Sequence, residues 1–559
     1  MRNHIYILVS VAFMCAASTL AYAQNLDPTV VVDRAYEGKL MEVHKPALEM
    51  AVPDTVMKFD LDFDYSVFAN PYKGSYEFNP YLLSMKPAAS GDESKRFYMR
   101  LGAGYQLHPE LDLVWSPDLG GKGFGVDVYA RNRSFIGKYH ELSMVEGSGG
   151  WNGHDAESSA GVRCGYDWKK GVLDFGAGYY GLLVGEKMWK RSFNALDTYI
   201  RLASKDYSTV VDYRLDAAYR FSGDSFDVKE MGSLREHLVD VDGSVLFPTR
   251  GSLLAVDLGM DYLAYQGLFG SGAGQIYITP HYLYSRGPLS LKAGVKIAKV
   301  LGGNGIDGQY LSGEKEQYVY PDVTLEFAII RNAMKLRLDV TGGNTIDSYS
   351  SLLERNHHLG VFSVWGNTPL LDFTVERVNI CAGLEGRIAS NFSYRLYADY
   401  INYGNALLDF VNLAEGAPEM IAGVAYAPYS KAVLGLDAMW KSERLTVDFA
   451  MDYNSTWGDC FSSNVPFLKP AAFTGDLAVE YNWKSRVYAG VDCSFSTARA
   501  GTLYSVPWYA DLGVYGEYFV SRRFSVWVRG GNLLGMTIQR SPLYAEKGVY
   551  FTLGICLNL

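Results

Sequence analysis

The sequence has little that would suit a helical membrane protein, a nucleic-acid binder or a disulfide-linked domain. Beyond residue 23 it has no apolar run of about eighteen residues, so no membrane-spanning helix is expected there. It has no basic surplus, since 61 Asp and Glu outnumber 51 Lys and Arg, and nucleic acid is therefore not an expected partner. Its cysteines beyond residue 23 have neither CxxC nor regular spacing, which argues against a disulfide framework and a zinc site: Cys164, Cys381, Cys460, Cys493 and Cys556.

Motifs for catalysis and cofactor binding are also missing. No HExxH or G-x-S-x-G motif occurs, and the glycines of 120–123 lack the spacing of a phosphate-binding loop. The stretch 301–314 has oxygen ligands for calcium without the spacing of a calcium loop. His357 and His358 invite a metal interpretation, but adjacent residues in a loop are more often exposed to solvent. We therefore expect no enzyme activity, no cofactor and no metal site.

What the sequence does have begins with an export signal. Residues 1–23 contain one Arg, an apolar stretch from Ile5 to Leu20 and the ending Ala21-Tyr22-Ala23. This pattern predicts a cleaved secretory signal peptide. The alternative, a membrane anchor, would need a longer apolar core and would leave the small-residue ending unexplained.

The remainder is dominated by alternation of apolar and polar residues. Tyr213, Leu215 and Tyr219 alternate with Asp212, Arg214 and Asp216, and the same period recurs in 254–262, 289–297, 334–340 and 473–483. A period of two over ten or more residues predicts long strands with one face in an apolar medium.

The length of these strands favours a bilayer over a protein core. Strands of ten to fourteen residues suit a tilted membrane crossing, and aromatic residues gather near their ends. The fold class that follows is all-β, an integral outer-membrane antiparallel β-barrel of about 22 strands over residues 95–559, located in the outer membrane of a Gram-negative envelope with lipid as its surroundings. An array of secreted β-sandwiches is the alternative. Short and long connections alternate, and each of the long ones at 343–370 and 405–430 has room for one more strand.

The final strands resemble a known family. Gly531-Asn532-Leu533-Leu534-Gly535, then 544–548 and the aromatic strand 549–555, are similar to the last two strands of TonB-dependent receptors. This resemblance implies a transport receptor. Two features depart from the family: the chain ends in Leu559 instead of an aromatic residue, and residues 24–94 are too few for a complete plug domain.

The segment 24–94 carries a second point of resemblance. Thr29, Val30, Val31 and Val32 resemble the TonB box, a short extended stretch that pairs with the energy-coupling protein TonB, and a β-prone stretch suits strand addition. A generic extended arm is the alternative. The rest of the segment, with repeated Asn-Pro-Tyr at 70–72 and 79–81, is either a reduced plug or a periplasmic lead-in to the barrel.

A barrel of this width leaves a water-filled lumen unless something fills it. We expect residues 24–94, inward-folded outer loops or a partner to close it. Thirteen charged residues are predicted to face the lumen: Asp212, Arg214, Asp216, Arg220, Asp257, Asp261, Lys292, Lys296, Lys335, Arg337, Asp511, Glu517 and Arg529.

Two function classes remain open at this point. The first is a TonB-dependent receptor-like barrel for uptake or binding of a substrate across the outer membrane. The second is a plugless structural, export or assembly barrel that acts with a partner filling its lumen. TonB, or a periplasmic or surface lipoprotein, is the expected partner.

Overall fold

A computed structural model of the chain describes residues 96–105, 107–119, 123–139, 142, 151–185, 190–205, 211–226, 233–249, 252–267, 271–302, 317–331, 333–359, 373–413, 420–462 and 466–559. The expected signal peptide (1–23), the segment 24–94 and the TonB-box candidate (29–32) lie outside these residues. Their assignments stay predictions.

Twenty-two antiparallel strands make up most of the described chain. They are, in chain order, β1 Phe97–Tyr105, β2 Glu110–Trp115, β3 Phe124–Tyr139, β4 Trp151–Trp168, β5 Gly171–Gly185, β6 Lys190–Ser204, β7 Asp212–Phe226, β8 Ser233–Thr249, β9 Ser252–Gly267, β10 Ser271–Arg286, β11 Leu289–Gly302, β12 Gln317–Ile330, β13 Met334–Ile346, β14 Phe373–Ile388, β15 Phe392–Leu413, β16 Met420–Lys441, β17 Leu445–Trp457, β18 Phe473–Trp483, β19 Val487–Ser496, β20 Tyr509–Phe519, β21 Phe524–Gly531 and β22 Tyr550–Asn558. Helix α1 spans Tyr349–Arg355, and a 3-10 turn spans Asp459–Phe461.

The strands form a closed ring. Each strand pairs with its neighbours in the chain, and β1 pairs with β22 from Tyr98↔Asn558 to Tyr105↔Phe551. Closure leaves no sheet edge, so the backbone groups of the ring are satisfied within it, as a lipid environment requires. The predicted antiparallel barrel of about 22 strands is confirmed. Within the described residues, no helix has the length and hydropathy to cross a membrane.

Side-chain exposure follows the period that the sequence predicts. On β7, Tyr213, Leu215 and Tyr219 are exposed, whereas Asp212 is buried and Asp216 is half-buried. On β9, Leu254, Leu258, Met260 and Tyr262 are exposed in the same way. An apolar surface of this kind on alternate residues is what hydrocarbon contacts in an outer-membrane barrel.

Two long connections differ from expectation. The stretch 405–430 is largely strand, because β15 and β16 continue as one hairpin from Ala406↔Ala427 to Leu413↔Met420, beyond a register irregularity between Tyr403 and Ala406. These residues are apolar and pair well, so they extend existing strands instead of adding a new one. The stretch 343–370 likewise adds no strand within its described part: β13 continues to Ile346, and α1 follows.

The ring has two distinct rims. One rim carries short turns, such as 169–170, 287–288 and 442–444. The other carries most of the long connections and is called the long-loop rim here. In barrels of this class the long loops face the outside of the cell and the short turns face the periplasm.

Candidate functional site

A segment of the long-loop rim folds back onto the barrel wall. Residues 347–359, called the strap here, follow β13 and contain α1. The helix begins because the Ser348 hydroxyl accepts a hydrogen bond from the Ser351 backbone N–H, which satisfies one of the free donors of the first turn. It ends at Asn356, whose N–H donates to the Leu352 carbonyl.

The strap lies inside the ring. The Asp347 carboxylate accepts a hydrogen bond from Tyr426 of β16 at 2.9 Å, and Arg191 of β6 donates to the Tyr349 hydroxyl at 3.1 Å. Strands β6 and β16 are nearly half the ring apart. A segment of this length can bond to both only from within the barrel.

Apolar contacts hold the strap to the wall. Tyr349, Leu352, Leu353 and Leu359 are buried and belong to one core cluster. Its other buried members lie on β5, β6, β8, β9, β15 and β16: Tyr180, Leu182, Val184, Phe193, Ala195, Leu234, Leu263, Tyr265, Leu407 and Val424. The cluster is therefore a hydrophobic core shared by the strap and the wall of the barrel. Burial of this size stabilises the folded position of the strap.

A buried carboxylate faces the start of the helix. Glu236 of β8 accepts hydrogen bonds from the backbone N–H groups of Tyr349 at 2.8 Å and Ser350 at 3.3 Å. The Tyr349 N–H also lies 3.0 Å from the Tyr265 hydroxyl. A negative charge at a helix N-terminus is favourable because the free N–H groups and the helix dipole both point toward it.

A buried ion pair secures the other side of the helix. Arg191 of β6 and Asp224 of β7 lie 3.0 Å apart, with side chains 0% and 1% exposed. Arg191 also donates to the carbonyls of His357, at 2.7 Å, and Leu359, and the Tyr349 hydroxyl donates to Asp224 at 2.7 Å. Buried charges need such partners, so these groups fix the strap in one position.

Two further ion pairs tie the strap to strands at its edge. Arg220 of β7 contacts Glu354 at 2.7 Å, and His357 contacts Asp155 of β4 at 2.8 Å. Burial alone would lower the pKa of His357, but the carboxylates of Asp155 and Glu157 raise it to about 9. His357 is therefore cationic at neutral pH. His357 and His358 are half-buried and not fully solvent-exposed as the sequence suggested, because His357 pairs with Asp155 and His358 packs between Tyr139 and Tyr544.

A second connection of the same rim also packs inward. Residues 532–547, called the inner loop here, lie in the connection from β21 to β22, and Ile538 and Gln539 are buried within it. Arg540 contacts Asp511 of β20 at 3.2 Å, and the Tyr504 hydroxyl donates to Gln539 at 2.8 Å.

The strap and the inner loop meet through aromatic rings. His358 stacks on Tyr544, with ring centroids 4.5 Å apart and an angle of 8° between the planes. Tyr139 of β3 approaches the other side of His358 edge-on, at 6.4 Å. Together the two segments reach from the β4–β9 wall to β20 across the long-loop rim.

The predicted lumen-facing residues are distributed around the wall and do not form one site. On β7, Arg214 contacts Asp216 at 2.5 Å, and Asp212 accepts from Ser204 at 3.2 Å. Arg220 contacts the strap. Most of the others have a polar or aromatic neighbour: Asp257 with His281, Asp261 with Gln275, Lys292 with Asp322, Lys296 over the ring of Tyr277, Lys335 with Glu326 and Glu385, Arg337 with Asp339, Asp511 with Arg540 of the inner loop and Glu517 with Ser525.

Arg529 lies opposite Tyr515 in the register of β20 and β21. A selectivity role for these thirteen residues stays a prediction. Among the described residues, no group of three or more His, Cys, Asp and Glu side chains is placed to hold a metal ion.

Sequence reasoning missed the residues that build the strap site. Arg191, Asp224 and Glu236 are ordinary members of alternating strands, and nothing near them in sequence marks them as partners of α1. One signal was present. Asp174 of β5 and Asp261 of β9 lie on the inner face of the wall. Toward the long-loop rim the same face carries the apolar residues Leu182 and Leu263, which is unfavourable for a wall exposed to water.

Comparison with known proteins finds solved structures with a similar fold. No family model and no curated protein matches the chain. Among solved structures it is similar to the FrpB iron transporter of Neisseria meningitidis (TM-score 0.64, 9% identity, covering 84% of this chain and 81% of that one). It is also similar to the siderophore receptor PirA of Pseudomonas aeruginosa (0.58, 12%, 84% and 81%) and to the copper transporter OprC (0.59, 10%, 85% and 82%). At these identities the likeness is one of fold, and the predicted resemblance to the TonB-dependent-receptor type of barrel is confirmed at that level.

Proposed function

We propose that the protein is an outer-membrane receptor-like barrel that binds a substrate at its outer mouth and takes it up across the membrane. The observation that carries the proposal is a closed 22-strand ring whose long-loop rim is crossed by a docked strap. A ring of this size would admit solutes freely if it were empty, so a built cover suits selective passage better than a simple pore. The similar solved structures are named as receptors and transporters for siderophores, iron and copper, which supports a transport role.

Energy for uptake would come through TonB. The box Thr29–Val32 is the proposed contact, formed by adding a strand to TonB through backbone hydrogen bonds. Val31→Pro removes a backbone N–H and fixes φ, so it should abolish binding of the purified TonB C-terminal domain to the full-length protein. Val31→Ile keeps both the N–H and the β propensity and should bind like wild type. Equal binding by the two variants would rule out coupling through this box.

A conductance measurement separates uptake from the alternative, a structural or export barrel whose lumen is filled by a partner. The mature protein and a form lacking residues 24–94 are compared in a planar bilayer in potassium chloride. If both are closed, the strap and the inner loop are enough to close the barrel, and uptake is favoured. If only the shortened form conducts, residues 24–94 act as a reduced plug, and uptake is again favoured. If the mature protein conducts widely by itself, a partner must close it in the cell and the export or assembly role is favoured.

A further inference from the structure

The rim opposite the long-loop rim, called the short-turn rim here, carries a run of exposed cations. Three of its turns follow one another around the ring and join β16 to β17, β18 to β19 and β20 to β21. Each lies against the next pair of strands, because the Arg444 carbonyl accepts a hydrogen bond from Asn482 of β18 at 2.7 Å and the Arg486 carbonyl accepts one from Phe519 of β20 at 2.9 Å. The basic side chains of these turns, called the basic arc here, are all exposed: Lys441, Arg444, Lys484, Arg486, Arg522 and Arg523.

The arc carries little negative charge of its own. Glu443 is the only acid in the three turns 441–444, 484–486 and 521–523. On the adjoining strand β18, Asp476 and Glu480 alternate with exposed Leu477 and Tyr481, so these acids lie on the inner face of the ring. An excess of positive charge therefore remains at this part of the rim, and it suits a partner with anionic groups.

Exposed tryptophans place the arc beside the membrane surface. Trp440 and Trp483, which are 38% and 52% exposed, stand at the ends of β16 and β18, and each is followed directly by a lysine of the arc. The Lys484 ammonium lies 5.9 Å from the centre of the Trp483 ring. Exposed tryptophans at the ends of membrane strands lie at the level of the lipid head groups, and the long side chains of Lys and Arg reach from there to the phosphates.

We propose that the basic arc binds phospholipids with net negative head groups in the periplasmic leaflet. An acidic protein is the other class of partner that the charge would suit. The lipid is favoured because the cations adjoin tryptophans of the outward face, where hydrocarbon and head groups meet. Binding of this kind fixes the depth of the short-turn rim in the bilayer over β16–β21. The proposal goes beyond the proposed uptake function and requires only that the ring spans a membrane.

A local quenching measurement tests the proposal. Ser485 is exposed between Lys484 and Arg486. The full-length chain, with its native cysteines changed to alanine and with Ser485→Cys labelled by bimane, is reconstituted in phosphatidylcholine vesicles. Phosphatidylglycerol or phosphatidylcholine that carries a nitroxide near the head of one acyl chain is then added. The ratio of the two quenching constants gives the local preference for anionic lipid, and heat-dependent gel migration checks that each barrel is folded.

Three triple variants separate the arc from the net charge of the protein. The first removes three charges from the arc: Arg444→Gln, Lys484→Gln and Arg486→Gln. Its control removes three charges from exposed residues near the long-loop ends of β6, β8 and β11: Lys190→Gln, Arg235→Gln and Lys299→Gln. The third keeps the charges of the arc and changes only the side chains: Arg444→Lys, Lys484→Arg and Arg486→Lys.

The wild type, the control and the charge-retaining variant should all prefer phosphatidylglycerol. The arc variant should lower the preference about fivefold for each cation that contacts a head group, the factor that corresponds to about 1 kcal/mol per basic residue at an anionic surface. A preference that falls equally in the control would assign it to net charge and overturn the proposal. Equal quenching by the two lipids in the wild type would also overturn it and would leave the arc to an acidic protein. The measurement involves no cargo and no TonB, so failure of uptake would leave its result unchanged.

Discussion

The buried pair Arg191–Asp224 gives the sharpest prediction about the strap. Arg191→Met keeps an unbranched apolar stem but leaves the Asp224 carboxylate in a buried site without its cation. It also removes the donor to the Tyr349 hydroxyl and to the carbonyls of His357 and Leu359. Removing one partner of a buried ion pair costs about 3–5 kcal/mol. Because the loss falls on contacts with the strap, we expect the strap to undock while the ring stays folded.

Hydrogen–deuterium exchange of the peptide covering the strap measures this loss. At about 1.4 kcal/mol for each factor of ten, exchange of the Leu352 and Asn356 amides should accelerate by about two to three and a half orders of magnitude. Arg201→Met is the matched control, since Arg201 and Asp216 lie on the same two strands at 2.6 Å but are 53% and 25% exposed. Loss of such a pair should cost at most about 1 kcal/mol.

A double variant decides whether the unpaired charge of Asp224 is what undocks the strap in Arg191→Met. Adding Asp224→Asn to Arg191→Met removes the unpaired carboxylate, so the pair of substitutions should be milder than the sum of the two singles by about 1 kcal/mol or more. If Arg191→Met changed strap exchange no more than Arg201→Met does, or if the two substitutions were simply additive, the reasoning from buried charge would be refuted.

Three further predictions concern the strap and the wall. Leu353→Ala, at a side chain with no exposed surface, should weaken strap docking by about 2–5 kcal/mol in the same exchange assay, with unchanged heat-dependent gel migration of the ring. Because the folded pKa of His357 is about 9 and its unfolded value is about 6.5, its stabilisation of the strap is full below about pH 6.5 and is lost as pH rises through 9. Strap exchange corrected for intrinsic rates should therefore accelerate between pH 7 and 10 in wild type and not in His357→Gln; equal profiles would contradict the assignment. Leu258→Arg, on the exposed face of β9, should destabilise the barrel in urea by about 2–4 kcal/mol if that face meets hydrocarbon, whereas Leu258→Met should change little.

The ring could be predicted from the sequence because its signal is local. Each strand is marked by alternation of apolar and polar residues, as in Tyr213, Leu215 and Tyr219. The connections on one rim are short enough to fix the pairing of the strands that they join. The pairing of β1 with β22 joins strands that are far apart in the sequence, and it follows from the need to leave no open edge in lipid.

The strap could not be predicted in the same way. Its partners Arg191, Asp224 and Glu236 lie more than a hundred residues from Tyr349, and each is equally compatible with a polar wall facing water. The continuation of β15 and β16 beyond Tyr403 was not predicted, for a different reason. A register irregularity there breaks the alternation of apolar and polar residues that marks a strand. Only the change of the inner face from polar to apolar residues, at Leu182 and Leu263, indicated that the wall packs against another segment.

The pairing of β1 with β22 has a consequence for how the molecule is made. The Arg96 N–H donates to the Leu559 carbonyl at 2.7 Å, and His108 contacts Thr552, a residue 444 positions away. In this ring β1 pairs with β22, so one edge of β1 stays unpaired until the last strand is in place. During that interval both edges are templates for pairing with other chains. Loss of residues 550–558 should therefore leave the edges of β1 and β21 unpaired and prevent closure of the ring.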